Sequence, residues 1–234
     1  MTEIKVPDIL LDLSEESFAA KLLKDYFFTT KKTGNTPLFS GACFESLGSD
    51  HNARHAFEIT AEDIVAVQCL GVGFTGDQCI ALIEEKKTDI AKILNDPNMK
   101  PDAKLWADDQ VKIEEAGSPG NRLWELLKTP DNNGIGSTKA SKLMARKRPS
   151  LFPVYDKWVA KALGRKNANH YWTVYRDLVL TELNGTPLHE HFSNLKIKLN
   201  LPDQVTPLRV CDVILWYSNN PRLADRRELL RMKN

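Results

Sequence analysis

Apolar residues recur at helical intervals along most of this chain, and that periodicity limits its fold more than any other feature. In SEESFAAKLLKDYF, Phe18, Leu22 and Tyr26 follow at steps of four and make one stripe, with Ser14 placed to cap the first turn. Thr60 opens ITAEDIVAVQCL, and GDQCIALIEEKKTDIAKILND spaces Ile80, Ile83, Ile90 and Ile93 for a buried face. Ser118 and Pro119 start SPGNRLWELLK, which packs Leu123, Trp124 and Leu127, before TPDNN breaks it. HYWTVYRDLVLTELN places Tyr171, Val174, Tyr175 and Leu178 on one side; Thr206 and Pro207 begin TPLRVCDVILWYSNN; RLADRRELLRMKN reads as an exposed helical tail. With no strong strand alternation, internal repeat or low-complexity tract, the pattern predicts a mostly α fold.

A chain of 234 residues, 42% hydrophobic and 27% charged, buries a core without disulfides or metals, as one large domain or two interleaved ones. We treat residues 1–234 as a single unit. The first residues lack a basic stretch followed by a long apolar run, and no run of about eighteen apolar residues occurs, so a cytoplasmic protein without a membrane partner is expected. Cys43, Cys69, Cys79 and Cys211 are scattered without a CxxC, which argues for buried thiols rather than a zinc or iron-sulfur site. His51 and His55 lack the glutamate of an HExxH motif, and His189 and His191 cannot share a helical face. No metal and no cofactor are predicted.

The net charge of +1 conceals an uneven distribution. Between residues 139 and 166 stand Lys139, Lys142, Arg146, Lys147, Arg148, Lys157, Lys161, Arg165 and Lys166 against one acid, Asp156, a local charge of +8 that leaves −7 for the rest. Such a segment is either a solvated helix face or a surface for a polyanion.

Two glycine motifs compete for attention. GVGFTG, residues 71–76, fits GxGxxG, but a dinucleotide site needs a strand before the first glycine, whereas Thr60, Glu62 and Asp63 announce a helix there. It is set aside. The second motif, Gly134, Ile135 and Gly136 followed by Ala140 and Leu143, lies between two helical segments. Glycines permit a tight turn, Ile135 plugs it, and Ala140 lets the helices touch. The amides at the head of the second helix, together with its dipole, then form a phosphate site that ignores base sequence. Ser137 and Thr138 add hydroxyls, and Lys139, Lys142 and Arg146, at i, i+3 and i+7, are expected to share a face toward the same anion.

GIGSTKASKL resembles the hairpin of helix-hairpin-helix DNA glycosylases such as endonuclease III and the alkyladenine glycosylases. Their pattern continues with Pro, Val and an essential Asp, matched here by Pro153, Val154 and Asp156, with WVAKALG after them. Asp156 follows Thr138 by eighteen residues, the interval endonuclease III keeps between its catalytic lysine and aspartate. SGACFESL, ITAEDIVAV and ARKRPSLFPVYD also resemble a bacterial family catalogued as domain of unknown function 6308. The superfamily resemblance implies a helical bundle of two interleaved subdomains, with the hairpin and aspartate inside 118–166, acting on double-stranded DNA as a monomer.

It further implies that Asp156 stabilises positive charge on deoxyribose while a base departs. Thr138 stands where bifunctional enzymes carry lysine, and Lys139 is turned about 100° away. The amine for a Schiff base is therefore missing, and a monofunctional enzyme that leaves an abasic site follows. Asp156 also suits the N-cap of KWVAKALG. A flipped base needs a stacking pocket, for which Phe39, Phe44, Trp106, Trp124 and Tyr155 are candidates, the loop from Thr36 to Leu47 first among them. Relatives act in repair, and some bacterial glycosylases attack modified phage bases, so repair and antiviral defence both stay open. The alternatives are a non-catalytic DNA-binding hairpin and a protein-interaction domain whose basic helix meets an acidic partner.

Overall fold

The computed structural model describes residues 5–48, 54–110, 112–128 and 134–232; the TPDNN break and His51 lie outside them. The described residues are mostly helical. In chain order come α1 (Phe18–Phe28), α2 (Ala61–Gln68), α3 (Gly76–Ile80), α4 (Lys87–Leu94), α5 (Pro119–Leu127), α6 (Ser137–Lys147), α7 (Lys157–Ala162) and α8 (Tyr171–Leu180). The short strands β1 (Glu182–Leu183) and β2 (Thr186–Pro187) follow, then α9 (Leu188–Lys198), α10 (Pro207–Asn219) and α11 (Ala224–Met232).

Local chemistry sets most of these boundaries. Ser17, not Ser14, accepts the Ala20 N–H and caps α1; Ser14 instead accepts the Ser17 hydroxyl and amide through its carbonyl one turn earlier. Thr60 and Asp63 close a reciprocal capping box on α2. Ser118 and Thr206 cap α5 and α10 ahead of Pro119 and Pro207, as their spacing predicts. The long helix expected from GDQCIALIEEKKTDIAKILND is divided: α3 runs into a π-helical turn at Ala81–Glu85, and Lys86, at φ −96° and ψ 2°, separates it from α4. Asn184 and Gly185 both take positive φ between β1 and β2, the requirement of a two-residue hairpin that an Asn-Gly pair meets cheaply.

The chain separates into two compact units, Met1–Phe39 with Tyr155–Asn234, and Ser40–Val154. In the first, α10 packs on α1, α7 and α9, with Leu22, Leu23, Val210, Val213 and Ile214 fully buried. Each such side chain contributes about 1.5–3 kcal/mol relative to exposure. In the second, α2 and α5 both pack on α6, and α4 on α5, around Val67, Leu94, Leu127, Leu143 and Met144. The 118–166 segment is thus shared: α5, the glycine turn and α6 belong to the second unit, Asp156 and α7 to the first. Of the cysteines, Cys211 is buried and the other three are half-buried: Cys43 ends a 3-10 turn, Cys69 caps the end of α2, and Cys79 lies on the short helix α3.

Candidate nucleic-acid interface

The glycine turn has the geometry its residues dictate. Gly134 takes φ +60°, a region L side chains rarely adopt, and an added Cβ would lie 3.3 Å from the Gln78 amide nitrogen. Ile135 is 1% exposed and plugs the turn; Ala140 is fully buried on α6, a helix that packs against α5. Gly136 occupies the N-cap of α6 without any side-chain cap, and open space surrounds its Cβ position. The amides of Lys139 and Ala140 both bond back to the Gly136 carbonyl at 3.1 Å, so those of Ser137 and Thr138 precede the first intrahelical bond. Ser137, Thr138 and Lys139 are half-buried. Lys139 Nζ donates to Gln78 Oε1 at 2.8 Å and stands 5.2 Å from the centroid of the Phe74 ring.

The rest of the basic helix turns the other way. Lys142 and Arg146 do not share an anion-facing surface with Lys139; they are 4% and 2% exposed, and Lys147 and Arg148 are equally enclosed. Lys142 Nζ donates to the Leu70 carbonyl at 2.9 Å, just past the end of α2. Arg146 donates to the carbonyls of Phe44, Glu45 and Leu47 at 2.7, 2.9 and 2.7 Å, and to Asp63 Oδ1 at 3.2 Å. Lys147 Nζ reaches Asp63 Oδ2 at 2.9 Å and the His55 carbonyl at 2.8 Å. Arg148 donates to the carbonyls of Ala56, Leu94 and Met99. The physical reason is common to all four: carbonyls at helix ends and in turns lack intrahelical donors, and a cation with an apolar stem satisfies them from inside the unit. Burial draws the Lys147 ammonium below its ordinary pKa, and Asp63 opposes that shift.

Asp63 is the residue that composition left unmarked. Its side chain, 0% exposed, closes the α2 capping box and neutralises two cations of α6 at once. The Thr60-x-x-Asp63 spacing signals only the helix start. The burial of Lys142, Arg146, Lys147 and Arg148 also removes most of the exposed basic face that an acidic protein partner would need.

In the first unit, Asp156 is the N-cap of α7, with extended backbone at φ −133° and ψ 143°. Its Oδ1 accepts the Trp158 N–H at 2.8 Å, and the residue is half-buried. Tyr155 packs its ring edge-on against Tyr171, centroids 5.1 Å apart. Burial, then the neighbouring Asp156 carboxylate, push the Tyr155 phenol above its ordinary pKa, so it stays a neutral donor beside that acid.

The five aromatic candidates divide between the units. Phe39 joins a ring cluster of the first unit, stacked on Tyr26 at 5.1 Å and edge-on to Trp216 and Tyr217. Tyr155 lies in the same unit. In the second, Phe44 is 2% exposed and serves the core, a correction to its reading as a base contact: its carbonyl is held by Arg146 and its ring faces inward. Trp106 and Trp124 are half-buried, and Lys128 Nζ stands 5.6 Å from the Trp124 ring centroid.

The family described as "Family of unknown function (DUF6308)" matches residues 19–219. The chain belongs to that family. The match begins inside α1 and ends at the last residue of α10, so it takes in the glycine turn, α6 and Asp156. No curated protein and no solved structure matches. Among the described residues, no helix is long and apolar enough to cross a membrane.

Proposed function

We propose that this DUF6308 member is a monofunctional DNA glycosylase of the helix-hairpin-helix type, which excises a damaged or modified base from double-stranded DNA. The observation that carries the reading is the uncapped head of α6: a positive-φ glycine, a buried Ile135 plug and a Gly136 N-cap open to solvent, on a helix packed against α5. Amides and the positive end of a helix dipole directed outward suit a backbone phosphate and do not depend on base sequence. With Lys142 and Arg146 enclosed, the grip reduces to Gly134, Gly136, Ser137, Thr138 and Lys139.

Asp156 takes the chemical role. A carboxylate beneath the deoxyribose stabilises the positive charge that develops as the N-glycosidic bond breaks and orients the attacking water. Thr138 offers no amine for a Schiff base, so the strand is left intact at an abasic site. Phe39, Trp106, Trp124 and Tyr155, the last a neutral phenol beside Asp156, remain the candidates for contact with a flipped base.

A second reading, a DNA-binding protein without catalysis, draws on one observation: Asp156 already caps α7, a structural task sufficient for an aspartate at that position. Incubation of the purified chain with duplexes carrying damaged bases, and with DNA carrying bulky phage-type modifications, followed by alkali, separates the two. Alkali-labile sites support excision, and which duplex yields them assigns repair or defence. Binding to duplex DNA with no alkali-labile sites on any substrate supports the second reading, and absence of binding opposes both.

A further inference from the structure

Helix α11 is docked in a way that differs from every other long helix of its unit. None of its residues is buried, and Leu229 and Met232 are 58% and 69% exposed. Three arginines hold it instead. Arg226 straddles Asp25 of α1, donating from Nε to Oδ2 and from Nη2 to Oδ1, both at 2.5 Å. Arg227 Nη1 donates to the carbonyls of Tyr217 and Asn220 at 3.0 and 2.6 Å, where α10 ends and its carbonyls lack partners within the helix. Arg231 places its guanidinium 4.6 Å from the centroid of the Phe18 ring at the head of α1.

Beneath these contacts lies a polar and aromatic cluster built from α1, α10 and Phe39. Asp25, 7% exposed, also accepts from the Tyr217 hydroxyl at 2.5 Å and the Thr29 hydroxyl at 2.9 Å. The Arg226 guanidinium stands 5.8 Å from the Phe39 centroid, over the ring group of Phe39, Tyr26, Trp216 and Tyr217. Tyr26 in turn accepts from Arg209 Nη2 at 2.8 Å, and Arg209 pairs with Asp212, so the layer below is cross-linked by its own members of α1 and α10.

We propose that α11 is a detachable strap, latched by Arg226, Arg227 and Arg231, whose release uncovers Asp25 and the Phe39 face while the rest of its unit stays folded. None of the strap's own side chains is buried, so the hydrophobic effect holds it less than it holds the other helices of its unit. What opposes release is a bidentate ion pair to the largely buried Asp25, two hydrogen bonds and one cation–π contact, of which only the arginine side is partly exposed and open to screening by salt. Elements held this way occupy the low end of the local-stability range and open without global unfolding. Once lifted, the strap leaves a carboxylate bound by two hydroxyls beside an aromatic face, and frees three arginines for an anionic partner.

Hydrogen exchange of the full chain, read separately over α10 and α11, tests the latch. In Arg226→Gln, a change at a partly exposed position, exchange over residues 224–232 rises by about tenfold, the scale of one lost aligned ion pair, while α10 keeps its protection. In the wild type, raising salt from about 0.05 to about 1 M accelerates the same segment and not α10. Arg227→Gln serves as a second variant that leaves Asp25 paired and gives the same selective change. Exchange over 224–232 that is unaltered in both variants, or that rises only in step with α10, overturns the proposal.

Discussion

Arg146 Nε donates to Asp63 Oδ1 at 3.2 Å with the two side chains 1% and 0% exposed, and Lys147 Nζ meets the other oxygen of the same carboxylate. One buried acid therefore compensates two buried cations of α6. Removing a partner from a buried ion pair leaves an uncompensated charge and costs about 3–5 kcal/mol. Asp63→Asn is accordingly expected to lower the urea midpoint sharply, by an amount of that order once converted through the slope. An unchanged midpoint would show that the carbonyls of Phe44, Glu45, Leu47 and His55 hold the cations without help.

Charge reversal at Arg146 is expected to unfold the second unit rather than to weaken DNA binding selectively, because its guanidinium faces carbonyls and not solvent. Lys139 is the informative position. Lys139→Glu is predicted to keep the unfolding free energy within about 0.5 kcal/mol of wild type, to weaken duplex binding, and to flatten the salt dependence by about one unit of slope. Titration of a fluorescent duplex at several salt concentrations checks it, and an identical slope in wild type and variant contradicts a phosphate contact there.

Gly136 offers a test in which stability and binding move in opposite directions. Its φ of −86° and ψ of −178° are open to any residue, and nothing lies within 4 Å of its Cβ position. Gly136→Asp supplies the missing cap and complements the helix dipole, which stabilises α6 by a few tenths of a kcal/mol or more. The same carboxylate occupies the place of a phosphate. Thermal denaturation is expected to show equal or higher stability together with a loss of DNA affinity; retained affinity would place the DNA elsewhere.

The strap has a pH signature. Burial pushes the Asp25 carboxyl up, but hydrogen bonds from Arg226, Tyr217 and Thr29, with the Arg226 charge, outweigh it and hold the group below the usual carboxylate range. A depressed folded value means that the latch contributes fully above the ordinary carboxylate pKa of about 3.9 and fades as pH falls through the folded value. Of the groups bonded to it, Arg226 keeps its charge throughout, and burial, followed by Asp25, pushes the Tyr217 phenol up, so within the latch the Asp25 carboxylate is the group that titrates in that window. Protection over 224–232, with the intrinsic pH dependence of amide exchange divided out, should fall in that window in the wild type and show no such step in Asp25→Asn. Superimposable profiles would contradict it.

The elements legible in the sequence were those set by neighbours in the chain. Ser118–Pro119 and Thr206–Pro207 mark their helices because cap and proline act within one turn. At the start of α1, Ser14 and Ser17 both suit a cap, and only packing chooses Ser17, three residues later. The turn at Asn184–Gly185 carries a hairpin signal, but its two strands are two residues each, too short to show alternation. The charge of α6 misled for a different reason. Arg146 finds its acceptors 83 to 102 positions away in the chain, and no local count of cations reveals that distant carbonyls will enclose them.

The central claim is most directly tested by counting abasic sites generated by wild type and Asp156→Asn on the same modified duplexes. Asparagine caps a helix about as well as aspartate, so the variant should fold and bind DNA like wild type. The account predicts abasic sites from the wild type and a loss of at least about a hundredfold in their rate of formation in the variant. Equal rates in the two proteins would show that the Asp156 carboxylate does no chemistry.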